Sequence, residues 1–204
     1  NVTIDLMGFR LAGPSNNNYV GIQINGGNNV EVRNGTLAGW YEGVWGSGGS
    51  RHRMINVRAN GNTYGFYLNG DDHMVEKCTA IQGSFGTGAG IVLNSTGKVS
   101  DCTVMNFSSY GIFISKNGTA TGNVVLNCSD TGIYAYSGTA LVSYNQVGGC
   151  RYGIASGGAG GSIIGNVVIT ITGGMGILPS VYLDRPNVLD QNTVSGLDTH
   201  YGGG

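Results

Sequence analysis

A glycine followed by an apolar residue recurs along the chain at Gly21-Ile22, Gly43-Val44, Gly65-Phe66, Gly90-Ile91, Gly111-Ile112, Gly132-Ile133, Gly153-Ile154 and Gly176-Ile177, with spacings of 22, 22, 25, 21, 21, 21 and 23 residues. A second column of Asn or Cys runs through Asn34, Asn56, Cys78, Cys102, Asn123, Asn145, Asn166 and Asn192 with a matching period. Two columns with one period in this range mark a solenoid, in which each repeat is a unit that buries its apolar face only by stacking on its neighbours. Within each unit the signals are for short strands, such as Val30-Glu-Val32, Val124-Val125 and Val167-Val168, bounded by Gly, Asn, Ser or Thr. Glycine interrupts every candidate 3.6-residue apolar period, and each such interruption costs a helix about 1 kcal/mol. A single unit cannot fold alone, because ordering it costs about 1–2 kcal/mol per residue. Its few inward aliphatics return only about 1.5–3 kcal/mol each. Coils stacked at about 4.8 Å supply the difference by sharing both the backbone hydrogen bonds and the apolar column.

Composition fits such a stack and excludes several alternatives. The 204 residues include 39 glycines, only 10% are charged, and the formal net charge is -1. Ten scattered Lys and Arg give no stripe for neutralising phosphates and no run that docks on an anionic membrane, so nucleic acid is excluded as an electrostatic partner. Balanced charge with 40% hydrophobic residues argues against disorder, and three prolines without a strict Gly-X-Y period exclude collagen. No run approaches the ~18 apolar residues of a membrane-spanning helix, so membrane insertion is not expected.

The units Val75-Glu-Lys-Cys-Thr79, Val99-Ser-Asp-Cys-Thr-Val104 and Thr121-Gly-Asn-Val-Val125, each followed by the Gly-apolar step, resemble the coils of the pectate-lyase-like superfamily. The resemblance covers essentially the whole chain. It implies an all-β fold, a single-stranded right-handed parallel β-helix of about eight to nine coils of 21–25 residues, with residues 1–204 forming a single domain. It also implies that the Asn/Cys column is a structural ladder at one bend, its side chains bonded to neighbouring backbone. The motif carries fold rather than activity, because such coils serve lyases, hydrolases, epimerases, tailspikes and adhesins. The motifs of the enzymatic relatives are missing: no Gly-His-Gly with a downstream Arg-Ile-Lys, no Asp-Pro-His-Asp, and no Gly-Gly-x-Gly-x-Asp calcium repeat.

Strand alternation turns the columns into surfaces. The residue after each column glycine is apolar and inward, so the next one points out. In five consecutive coils that position holds Trp45, Tyr67, Val92, Phe113 and Tyr134, with Tyr64, Tyr110 and Tyr152 placed to widen the stripe. Such a stripe is covered by another segment, forms a lateral contact, or stacks sugar rings on its aromatic faces.

The one dense charge cluster is Arg51-His52-Arg53 with Asp71-Asp72-His73 and Glu76-Lys77. Counting from the column glycines sets Arg51 beside His73, Glu31 beside Arg53 and Lys77 beside Asp101. One reading is a ladder of cross-strand ion pairs on a solvated bend. The other makes Arg51, Arg53, Asp71, Asp72 and His73 the catalytic candidates for acid and base work on a glycosidic bond. No cofactor is expected on the first reading, and Ca²⁺ only if the reaction is a lyase elimination. With His52, His73 and His200 the only histidines, a His-rich metal site is not expected.

Cys78 with Cys102, and Cys128 with Cys150, fall one coil apart. They read as small apolar residues stacked in a dry interior. A disulfide is within reach of the coil spacing, although parallel side-chain vectors disfavour its dihedral. Asn-x-Ser/Thr sequons at Asn1, Asn34, Asn94, Asn106, Asn117 and Asn127 follow from Asn- and Thr-rich bends. Extra residues break the period in Gln82–Ala89 and Pro179–Asn187.

Asn1 leads straight into the strand-like run ending at Leu6, so the sequence reads as an excised or processed part of a longer chain. Neither end shows a capping helix, and open solenoid ends expose unpaired strand edges. The expectation is therefore a non-catalytic, extracellular or cell-surface solenoid with a structural or adhesive role. It would self-associate end to end or laterally through its open ends and aromatic stripe, up to a filament. The alternative is a polysaccharide-processing enzyme (lyase, hydrolase or epimerase) or a glycan-binding module.

Overall fold

The computed structural model describes residues 1–15, 18–83, 86–179, 187–196 and 199–201, the side chains of 172 and 199–201 excepted. The tips of the two excursions, residues 84–85 and 180–186, and the side chain of His200 lie outside the described residues. All strand pairings are parallel, and the strands join one continuous sheet that winds through about eight turns. This is the right-handed parallel β-helix that the family resemblance implies.

Each coil contributes one strand to each of three faces. The first face stacks Ile22, Val44, Phe66, Ile91, Ile112, Ile133, Ile154 and Ile177 in register. The second face turns Val32, Met54, Val75, Val99, Ala120, Val142 and Ile163 inward, and the third turns Leu37, Ala59, Ala80, Val104, Val125, Val147 and Val168 inward. All of these are buried in one continuous apolar core.

At the Gly column adjacent coils approach too closely for a side chain. A Cβ on Gly43, Gly90 or Gly111 would lie 2.6 Å from the carbonyl oxygen of the next column glycine, and one on Gly111 would also meet Val125 Cγ1 at 2.3 Å. Backbone approach, not backbone dihedral, selects glycine there.

The ladder between the second and third faces differs from the sequence reading at its start. Asn123, Asn145 and Asn166 are buried, and each donates its Nδ2–H to Oδ1 of the next asparagine at 2.9 Å, ending on Asn192. Cys102 and Cys78 continue the column as buried residues, with the Cys102 N–H bonded to Asn123 Oδ1 at 3.0 Å. Above Cys78 the interior position holds Val57, then Gly35, not Asn56 and Asn34. Asn34 and Asn56 stand one residue earlier, at left-handed φ of 56° and 52°, level with Lys77 (52°) and Asp101 (55°). The repeat is 22 residues from Asn34 to Asn56 but 21 from there to Lys77, and a shift of one exchanges inside for outside. Asparagine suits the left-handed corner because its short polar chain tolerates positive φ. Its amide there reaches sideways, Asn56 Nδ2 to Asn34 Oδ1 at 3.1 Å, in solvent.

All four cysteines are free and buried, Cys128 in line with Cys150.

Candidate functional site

The predicted aromatic stripe is present on the first face. Trp45 pairs with Tyr67, Tyr67 with Val92, Val92 with Phe113, and Phe113 with Tyr134. The stripe is not flat. Val92 is shorter than its neighbours and sits between them, so although it points out it is only 5% exposed. It forms the floor of a cleft of about 270 Å³ walled by Tyr64 and Tyr67 on one side and by Tyr110 and Phe113 on the other.

Ring-to-ring packing stiffens both walls. Tyr64 meets Tyr41 and Tyr67 edge to face at 5.6 and 5.5 Å. Tyr110 packs on Phe113 at 5.7 Å and on Tyr134 at 5.3 Å, and Phe113 stacks on Tyr136 at 5.8 Å. Such pairs add about 0.5–1.5 kcal/mol each beyond area burial, so the walls are pre-formed. The rim is polar. Asn94 donates to the Tyr67 hydroxyl at 2.8 Å and to Asn69 Oδ1 at 2.9 Å, while Thr87, Gly88 and Ser109 close the opposite edge. Burial pushes the phenols of Tyr64 and Tyr134 up, so they stay neutral hydrogen-bonding groups. Burial also raises the Glu42 carboxyl, whose residue pairs with Tyr64.

An apolar floor, aromatic walls and an amide and hydroxyl rim can seat a ring with apolar CH faces and equatorial hydroxyls. The sequence carries no signal for Glu42 or Tyr136, and marks Asn94 only as a sequon. The signal for the rim was there, since the three extra residues between Gly65 and Gly90 bring Thr87 and Gly88 to it.

The charged cluster forms a second concavity, on the second face. A polar groove of about 700 Å³ is lined by Arg51, Arg53, Glu31 and Asp72 with Asn29 and Thr3. Arg53 Nη1 lies 3.5 Å from Glu31 Oε2, and Arg51 Nε donates to Asn29 Oδ1 at 3.1 Å. The structure thus brings Arg51, Arg53 and Asp72 together, and separates Asp71 and His73 from them. Asp71 binds the Ser95 hydroxyl and lies 3.7 Å from Lys116 Nζ; the Ser95 hydroxyl, ahead of Lys116, holds its carboxyl below the usual range. Asp72 is tied to Thr96, whose hydroxyl accepts the Asp72 N–H at 3.0 Å and reaches its Oδ1 at 3.0 Å.

His73 is buried, with both ring nitrogens on backbone. Its expected neighbour Arg51 is off by one: His73 is level with His52, and Arg51 with Asp72. Ser47 pairs with Asn69 but Ser50 with Asp71, so the Gly48-Gly49 bulge adds one residue that counting from the column glycine misses. Glu31 and Arg53 do pair as expected. Lys77 lies level with Asp101, and its ionic contact is with Glu76 at 3.8 Å. Among the described residues, no three or more His, Cys, Asp or Glu side chains are placed to hold a metal ion together.

These features define a parallel β-helix with an aromatic cleft on one face and a charged groove on the next. The chain belongs to the right-handed beta helix region family, whose model matches residues 15–169. It is similar in structure to the A-module of the mannuronan C-5 epimerase AlgE4 of Azotobacter vinelandii, with a TM-score of 0.55 and 12% sequence identity. The match covers 91% of this chain and 61% of that module, so the chain spans about three fifths of its length. No curated protein matches the sequence. No described helix is long and apolar enough to cross a membrane.

Proposed function

We propose that this chain is a polysaccharide-binding solenoid that seats one sugar ring in the cleft over Val92 and lays the neighbouring sugars along the stripe from Trp45 to Tyr134. The observation that carries this reading is the cleft itself, with an outward valine floor between two aromatic walls and the Asn94 amide at its rim. The four residues of the two walls pack on one another and on Tyr41, Tyr134 and Tyr136, so little side-chain entropy remains to be lost on binding. Likeness to a module whose name gives mannuronan as its substrate supports a polysaccharide ligand. From a ligand of that kind we infer an extracellular or cell-surface location.

Native gel electrophoresis through a panel of neutral and acidic polysaccharides tests the reading. Retardation by at least one, weakened about tenfold or more in Kd by Tyr67→Ala or Phe113→Ala, is expected, a loss of about 1.4 kcal/mol. Migration unchanged by every polysaccharide rules it out.

A second reading, a polysaccharide-processing enzyme, is favoured by the convergence of Arg51, Arg53 and Asp72 on one groove. It predicts reducing ends or unsaturated products that Asp72→Ala and Arg53→Ala abolish while the fold is kept.

A further inference from the structure

We propose that the stacked pair His52–His73 is an acid-sensitive latch that holds the corner between the first and second faces closed while both imidazoles are neutral. The rings lie parallel, with centroids 4.8 Å apart and planes 8° apart, and the residues are 0% and 1% exposed. Each Nδ1 faces a backbone donor: the Val30 N–H points at His52 Nδ1 at 3.3 Å, and the His52 N–H at His73 Nδ1 at 3.2 Å. Each Nε2 faces a backbone acceptor, the Gly48 carbonyl at 3.2 Å and the Asn69 carbonyl at 3.0 Å. A carbonyl only accepts and an N–H only donates, so these partners assign the proton to Nε2 and the lone pair to Nδ1 in both rings. The pair repeats at this corner what the asparagines do at another, with one difference: imidazole can take up a second proton.

That proton cannot be accommodated in place. It would go on Nδ1, turning each inter-coil hydrogen bond into two donors facing one another, and it would set a cation within a buried stack. The charges bearing on His73 act in both directions: Asp71 and Asp72 favour its cation, His52 opposes it, and burial, the largest influence, lowers its pKa. The other charged groups of this corner, Glu31, Arg51, Arg53, Lys98 and Lys116, occupy half-buried or exposed positions.

The sign follows. An unfolded or expelled histidine titrates near the ordinary value of about 6.5. The stability that neutral His73 contributes is present above that pH and is lost as pH falls through it toward its depressed native value.

The covering turn is built to let the rings leave. It consists of Gly48, Gly49 and Gly70 at φ of 87°, 79° and 112°, and a Cβ on Gly49 or Gly70 would lie 2.9 or 3.0 Å from the Nε2 beneath. Arg51 and Asp72, at left-handed φ of 56° and 59°, immediately precede the two histidines and line the charged groove. Expelling the rings therefore displaces the groove's edge.

Hydrogen exchange of the whole chain, corrected for the intrinsic pH dependence, tests this. Amides of residues 47–53 and 69–76 should lose about tenfold or more of their protection between pH 7.5 and about pH 5, with residues 119–126 unchanged. His52→Asn with His73→Asn supplies an acceptor and a donor that do not titrate, and should abolish the loss. Equal loss in that variant, or a loss at residues 119–126 of the wild type equal to that at the corner, overturns the proposal. Ring nitrogen NMR of the wild type gives a second reading that does not depend on the variant folding. Two Nε2–H tautomers at pH 7.5 are expected, and rings that protonate near pH 6.5 with protection intact overturn the latch.

Discussion

Asn145 gives both its side-chain Nδ2–H and its backbone N–H to the single Oδ1 of Asn166, each at 2.9 Å, while Nδ2 also reaches the Ala120 carbonyl at 3.0 Å in the coil before. One amide thus satisfies buried groups in three successive coils. Asn145→Ala removes the acceptor for Asn123 and the donor for Ala120, and each buried orphan costs about 1–3 kcal/mol. A clear fall in the thermal midpoint is expected for Asn145→Ala. Asn56→Gly, which changes an exposed left-handed corner, should leave it nearly unchanged.

Gly111→Ala is expected to destabilise more than an ordinary surface change. Its Cβ would meet Val125 Cγ1, the Gly132 carbonyl and Cys128 Sγ, all at 3.0 Å or less. Overpacking of this kind costs about 1–3 kcal/mol. Gly26→Ala has nothing within 4 Å but a left-handed φ of 67°, so it isolates the dihedral cost of about 1–2 kcal/mol. Denaturation of the two variants side by side separates close approach from conformation.

The thiols should resist modification in the folded protein. Burial pushes the Cys78 thiol well up, and Cys102, Cys128 and Cys150 are equally enclosed. A thiol reagent at neutral pH should label none of the four until denaturant is added, after which all four react; rapid labelling of the native chain would show that the coils breathe at these columns.

Asp5 is held below the usual carboxylate range, first by the Met7 N–H and then by Arg33, whose Nε lies 2.8 Å away. Its folded pKa is depressed, so its contribution exists above about 3.9 and is lost as pH falls through the native value. Asp5→Asn should flatten the acid limb of the stability profile slightly, and added salt should shrink the difference because both groups meet solvent.

Much of this architecture is legible in the letters because the solenoid repeats one local rule. Gly21 to Gly176 mark one corner, and the apolar residue after each is inward without exception. What the letters hide is register at the corners. Between Ser47 and Ser50 the Gly48-Gly49 bulge adds a residue, which moved Arg51 from His73 to Asp72. Between Asn56 and Lys77 the repeat shortens by one, which moved two asparagines from the interior to the rim. The aromatic stripe was legible as a column, but its cleft was not. That depends on a small Val92 between large neighbours and on Tyr64 and Tyr110, which lie outside the outward column and lean over it. The two histidines looked like surface chemistry because the backbone donors to their Nδ1 atoms lie one coil away.

The most direct measurement of the central claim is NMR of the aromatic and methyl groups during titration with an oligosaccharide cut from whichever polysaccharide retards the protein. Shifts concentrated on Val92, Tyr64, Tyr67, Tyr110 and Phe113, saturating with one Kd that Tyr67→Ala weakens about tenfold, are the predicted result. Shifts confined to the Thr3 and Met74 methyls of the charged groove, with the cleft silent, would contradict it and move the binding site to that groove.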